Sequence, residues 1–138
     1  MINVAVLGFG TVGSGVVEII NGKDFSGKTG QDINVKKVLD IRSFEGSPYG
    51  HLVTADFESI LNDDEISIVV ETMGGTNPAY DFTKRSLLAG KSVVTSNKEL
   101  VATHGTELLQ IARDKNVCYM FEASVGGGIP IIRPLGNC

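Results

Sequence analysis

Several residue clusters in this sequence have the types and spacing to do chemistry. Gly8-Phe9-Gly10-Thr11-Val12-Gly13 sets three glycines at the G-x-G-x-x-G interval, directly after a short apolar run. If that run is a strand and a helix follows, each glycine has a purpose. The first permits a tight turn, the second lets an anion approach the backbone, and the third lets the helix pack closely on the strand. The first turn of the helix then offers unpaired N–H groups and a positive partial charge, so the chemistry implied is the cradling of a pyrophosphate. No Gly-Lys-Ser/Thr follows, which separates this loop from a mononucleotide P-loop. A glycine turn that holds no ligand is the plain alternative.

A dinucleotide held this way calls for an acid at the end of the second strand, to meet the adenosine ribose. Asp40 stands at that place, at a spacing longer than the usual ~20 residues because a glycine-rich loop intervenes. Arg42, two positions on, would meet a 2′-phosphate or stack on adenine. Asp40 favours NAD and Arg42 leaves NADP open; a solvated strand end is the alternative for both. Three further polar segments follow apolar runs: Glu71-Thr72-Met73-Gly74-Gly75-Thr76, Thr95-Ser96-Asn97-Lys98, and Glu122 to Pro130 with glycines at 126, 127 and 128. Gly74, Gly75 and Thr76 would lie near the nicotinamide half of such a ligand, with Thr72 and Thr76 as candidate hydrogen-bonders. His51 and His104 have no partner pattern and read as structural or surface residues.

These clusters need a scaffold, and the sequence supplies one by alternation. Residues 2–7 read as a buried strand that stops at glycine. Val12, Val16, Ile19 and Ile20 give the next helix an apolar face, ended by Asn21-Gly22. Residues 22–32 read as loop and 33–39 as a second strand; from 43 to 54 the pattern is weak. A short helix over 56–62 has Asp56 as its cap. A β-branched strand over 66–70 follows, and then a break with Asn77 as cap and Pro78 at the first helical position. The following helix runs to Leu88. A strand over 92–95, a helix over 98–115 with His104-Gly105 as a candidate break, and a strand over 117–122 complete the pattern. Strands apolar on both faces, alternating with helices, predict an α/β fold: a Rossmann-type, doubly wound, mostly parallel sheet of five or six strands with helices on both faces. Every segment singled out above would then crowd the rim formed by the carboxyl ends of the strands.

Composition narrows the function classes. The chain has 138 residues, 42% of them hydrophobic and 20% charged, as expected of one globular domain. A formal charge of −4 without a basic block speaks against a nucleic-acid partner. No apolar run approaches the ~20 residues of a membrane span, and the start of the chain carries no leader pattern. Cys118 and Cys138 lack ligand spacing, so a cytoplasmic setting with free thiols is expected.

The later segments carry a resemblance. Val70-Glu71 leading to Gly74-Gly75, the Thr-x-Asn-Lys run ending at Lys98, and Glu122-Ala-Ser-Val-Gly-Gly-Gly-Ile-Pro-Ile-Ile together resemble homoserine dehydrogenase. The likeness runs along the whole chain and is tightest from Ile66 to Arg133. It implies NAD(P)-dependent interconversion of L-homoserine and L-aspartate 4-semialdehyde, in the route to threonine and methionine. It implies a homo-oligomeric full-length protein in which residues 1–138 are the NAD(P)-binding domain. The catalytic and dimerisation region would lie downstream, and the 138 residues alone would be inactive. By the same resemblance Lys98 is the active-site lysine, facing the substrate hydroxyl, and Asn97 orients the loop, caps the helix or touches the nicotinamide. Glu122 with the carbonyls of Val125, Gly127 and Ile129 would bind a monovalent cation such as sodium; a glycine hinge is the alternative, compatible with it. Two rivals stand beside this reading. One is a regulatory NAD(H)-sensing module, which has no need of Asn97-Lys98. The other is a dehydrogenase for a related amino-acid or semialdehyde substrate.

Overall fold

The β-branched and aliphatic run Ile2–Leu7 forms β1, and its alternation divides the interior in two. Val4 and Val6 join Val17, Val35, Val38, Val70 and Val94 on one face. Ala5 and Leu7 join Phe57, Ile60, Leu87, Leu100 and Leu108 on the other. A strand whose two faces both enter a core belongs in the middle of a covered sheet, and β1 lies there. The computed structural model describes residues 2–21, 33–42, 44, 46–125 and 129–134. The chain runs β1, α1 (Thr11–Asn21), β2 (Ile33–Leu39), a 3-10 turn (Gly50–Leu52), β3 (Val53–Thr54), α2 (Phe57–Leu61), β4 (Ile66–Glu71), α3 (Ala79–Leu88), β5 (Ser92–Thr95), α4 (Lys98–Lys115), β6 (Tyr119–Val125) and β7 (Ile129–Pro134).

The sheet order is β3-β2-β1-β4-β5-β6-β7. Six strands are parallel, and β7 returns antiparallel against β6. The first six follow the dinucleotide-binding order, with the direction of winding reversing between β1 and β4. α1 packs against β1 and β2, while α2, α3 and α4 supply the opposite core. Register puts Thr54, Leu39, Leu7, Glu71, Thr95 and Phe121 in one row across the sheet. The residues just past that row form the upper rim. Lower down, β1 skips one residue on each flank: Lys36 between Val4 and Ala5 on the β2 side, and Ser67 between Asn3 and Val4 on the β4 side.

Several expectations need correction. The buried line of α1 runs through Gly13 and Val17, while Val12 and Ile19 are about half exposed, at 51% each. The α3 helix begins at Ala79, with Pro78 as its capping residue and no side chain capping it; the Tyr80 amide bonds the Thr76 carbonyl instead. The α4 helix is unbroken. His104 stacks on Tyr80, and a Cβ on buried Gly105 would meet only Val101, at 3.4 Å. Two strands were illegible: β3, because it is two residues long, and β7, because its Ile-Pro-Ile-Ile run follows the glycine triplet closely. Asp56 does cap α2, accepting from Glu58 N at 3.0 Å. Cys118 is disulfide-bonded, against the expectation of a free thiol. The loop expected at 22–32, the glycines at 126–128 and Cys138 lie outside the described residues. No helix among the described residues is long and apolar enough to cross a membrane.

Candidate functional site

The glycine loop closes on the upper rim because three backbones converge there. Gly8 N donates to Leu39 O at 2.7 Å, and Thr72 N donates to Leu7 O at 3.0 Å. Thr72 Oγ1 lies 2.8 Å from Leu7 O and 3.1 Å from Gly8 O, so its hydroxyl clasps the loop rather than facing outward. Gly8 has φ +96°, a conformation that suits glycine. A Cβ on Gly13 would fall 1.9 Å from Gly8 O, so α1 can approach β1 this closely only with glycine at that position. Gly10 differs, because a Cβ there would meet no atom of the described residues within 4 Å. The described residues do not fill the space beside Gly10, and that space adjoins the start of α1. Thr11 and Val12 are exposed in the first turn, which contains no acidic side chain to oppose an anion. This cradle fits a dinucleotide pyrophosphate. The Phe9 ring is instead buried, edge-on to Phe44 at 4.8 Å, and its amide donates to Asp40 Oδ2 at 3.0 Å.

Asp40 is saturated. Its Oδ2 also accepts from Arg42 Nη2 at 2.8 Å, and its Oδ1 accepts from Arg42 N at 2.9 Å and Nε at 3.0 Å. The Arg42 guanidinium therefore lies two-pronged on the carboxylate, 5.2 Å from the centre of the Phe44 ring. Hydrogen bonding from Arg42, reinforced by the two amides, holds the Asp40 carboxyl well below its usual range. Beside the pair a cleft of about 370 Å³ opens, lined by Gly8, Gly10, Asp40 and Arg42 on one side and by Met73, Pro78 and Phe82 on the other. Ile41, 90% exposed, contributes to it. Such a cleft, part apolar and part polar, suits a nucleoside. Sequence reasoning missed the apolar wall. An isoleucine left in solvent just past a strand end was the available signal.

Across the switch point the rim is built from side chains. Glu71 is fully buried; its Oε2 accepts from Met73 N at 2.7 Å and its Oε1 from Thr95 Oγ1 at 2.7 Å. Thr95 Oγ1 in turn accepts from Asn97 N at 3.0 Å. Asn97 Oδ1 caps α4 by accepting from Leu100 N at 3.0 Å, and its Nδ2 donates to the Gly75 carbonyl. Asn97 thus joins the start of α4 to the Gly74-Gly75 turn, whose two glycines have φ +77° and +71°. Thr76 follows that turn, its carbonyl accepting from Tyr80 N at 2.8 Å, and Lys98 is the first helical residue after Asn97. Lys98 is exposed and joins no ion pair among the described residues. The hydroxyl of Tyr119 is buried without a hydrogen-bond partner among the described residues, and its proton is held more tightly than usual by burial and by the charge of Glu71.

On β6 and β7, Glu122 pairs with Ile132 and Val125 with Ile129, so the backbone positions expected at the cation lie on one hairpin. Gly127 lies outside the described residues. No group of three or more potential metal-binding side chains occurs among the described residues.

The model of the family described as homoserine dehydrogenase, NAD binding domain, matches residues 8–122. A homoserine dehydrogenase of Lactococcus lactis is 45% identical over 99% of this chain and 33% of its own length. One from Synechocystis is 40% identical over 97% of the chain and 32% of its own. Among solved structures, homoserine dehydrogenase from S. aureus superposes with a TM-score of 0.80 at 40% identity, covering 91% of this chain and 34% of that one. The chain spans about a third of the length of the curated relatives it matches.

Proposed function

Because the chain belongs to the family of homoserine dehydrogenase NAD-binding domains, we propose that it is the coenzyme-binding part of an enzyme interconverting L-homoserine and L-aspartate 4-semialdehyde. The observation that carries this reading is the contrast between Gly13, closed by protein, and Gly10, left open beside the amides of α1. Gly8, Gly10, Thr11, Val12 and Gly13 would receive the pyrophosphate, and Asp40 the ribose of NAD, once Arg42 swings aside. Arg42 would receive the 2′-phosphate of NADP. Bound coenzyme supplies the hydride acceptor. The chain's own residues orient it: the Gly74-Gly75-Thr76 turn, fixed by Asn97, borders the nicotinamide end. Lys98 hydrogen-bonds the substrate oxygen and offers a route for its proton.

The matched relatives are about three times as long as this chain. We therefore take residues 1–138 as the coenzyme domain of a longer, homo-oligomeric, cytoplasmic protein without a nucleic-acid partner, whose catalytic and dimerisation region is encoded elsewhere in it. A monovalent cation at Glu122, Val125, Gly127 and Ile129 belongs to the same proposal, supported by the pairing of Val125 with Ile129. A nucleotide-sensing module loses ground, because the relatives named above are homoserine dehydrogenases.

The test is Lys98→Ala in the intact protein. Homoserine oxidation should fall about a hundredfold or more, with coenzyme affinity within threefold of the parent. Unchanged turnover would overturn the assignment of Lys98. Titrating this chain with NADH and NADPH, as parent and as Arg42→Ala, assigns coenzyme choice: only NADPH affinity should fall in the variant.

A further inference from the structure

Glu71 is an expensive residue to place where it is. It ends β4 in the top row of the sheet, between Leu7 and Thr95, with no solvent exposure. No cation pairs with it among the described residues; its acceptors are met by one amide and one hydroxyl. A buried carboxyl without a cation is held at a cost in stability, and an apolar residue of similar size would normally pack better. The arrangement makes sense through what it orients.

Thr95 has one proton and places it on Glu71, which leaves its lone pairs facing the Asn97 amide. Reversing that hydroxyl would set donor against donor. Glu71 thereby fixes the rotor of Thr95, Thr95 fixes the Asn97 backbone, and Asn97 fixes both the first turn of α4 and the Gly75 carbonyl. Two further bonds complete the brace: Met73 N to Glu71 Oε2, and Ser96 N to Glu71 O at 3.2 Å. Every link ends on the backbone beside Lys98 or beside the Gly74-Gly75 turn.

We propose that Glu71 and Thr95 are positioning residues for the reaction, holding Lys98 and the Gly74-Gly75 turn in one fixed relation without touching coenzyme or substrate. The proposal rests on the assignment of Lys98 above. Displacement of a reacting group by about 1 Å lowers rate by roughly a hundredfold, so loosening this brace acts on turnover more than on coenzyme binding.

The experiment compares Thr95→Val, which keeps shape but removes the hydroxyl, with Thr95→Ser, which keeps the hydroxyl. In the intact protein Thr95→Val should lower kcat for homoserine oxidation about tenfold or more, with coenzyme Kd within about twofold of the parent, and Thr95→Ser should restore most of the loss. Amide hydrogen exchange gives a readout independent of turnover: the Asn97 N–H should exchange about tenfold faster or more in Thr95→Val and stay protected in Thr95→Ser. Equal loss in both variants, a kcat unchanged in Thr95→Val, or loss that follows coenzyme Kd overturns the proposal. If Thr95→Val does not fold, Glu71→Gln decides: a lowered kcat at unchanged Kd supports the brace, and a kcat within twofold of the parent overturns it. Lys98→Ala separates the two layers. If Lys98→Ala abolishes turnover while Thr95→Val is fully active, the brace alone fails. If Lys98→Ala is active, the reading beneath it fails as well.

Discussion

The two ends of the sheet use their polar residues in opposite ways. At the lower end, Lys36 meets Asp63 at 2.8 Å and Glu65 at 2.6 Å, and Lys37 bonds the Ser59 carbonyl at 2.8 Å. Lys91, almost wholly buried, donates to the carbonyls of Asp63 at 2.8 Å and Ile66 at 2.7 Å. Each of these cations is answered by protein. At the upper end Arg42 answers Asp40, but among the described residues the exposed Lys98 has no acid, and nothing lies within 4 Å of where a Cβ on Gly10 would stand. Polar groups that are satisfied internally hold a fold together; groups left unanswered on a rigid frame are available to a ligand.

The largest effect that tests this contrast lies within the glycine loop. Gly13→Ala drives a methyl group into the Gly8 carbonyl and should remove about 3 kcal/mol of stability, read from urea denaturation. Gly10→Ala should leave stability within about 0.5 kcal/mol yet weaken NADH binding by about tenfold or more. A Gly10→Ala protein that binds NADH normally would break the comparison, since the open space would then have no use.

The lower end offers the next test. Lys91→Met leaves two carbonyls without their donor and should cost about 1–3 kcal/mol, with coenzyme affinity unchanged. Burial lowers the Lys91 pKa below its ordinary 10.5. The folded protein therefore binds that proton less tightly than the unfolded chain does. The charge penalty shrinks as pH rises through the lowered value toward 10.5, so the parent should gain on Lys91→Met across that alkaline window.

Acid unfolding probes both ends at once. The Asp40 and Asp63 carboxyls are both held below their ordinary 3.8, Asp40 chiefly by hydrogen bonding from Arg42 and Asp63 chiefly by hydrogen bonding from Lys36. Each contributes stability that is present above pH 3.8 and lost as pH falls toward the lowered value. Asn at either position should flatten the acid limb of stability against pH, but only Asp40→Asn should alter coenzyme affinity. The smallest effect belongs to the middle of α4, between the two ends. Gly105→Ala should raise stability by about 0.5–1 kcal/mol and leave coenzyme binding alone; a loss instead would show that Val101 cannot yield.

Much of this was legible in the sequence because it rests on short-range rules. Strand alternation around Val4 to Leu7, the caps at Asp56 and Asn97, and the glycine interval at 8, 10 and 13 are each local. The illegible parts depend on register between distant strands. Glu71 and Thr95 are 24 residues apart in sequence, and only the β4–β5 pairing shows that they are partners. Val12 and Val17 both fit a helical face, and the side on which α1 packs decides which is buried. The Arg42–Asp40 clasp depends on side-chain rotamers that no spacing encodes.

The two residues that β1 skips, Lys36 and Ser67, both fall in its lower half. Above them, Ala5 to Leu7 march in step with Lys37 to Leu39 and with Val69 to Glu71. The paired kinks act as a vernier. A residue gained or lost near the foot of β2 or β4 can be taken up there before it shifts any row higher in the sheet. Sister proteins could therefore drift in length at the base while the business end keeps its alignment to a fraction of a residue.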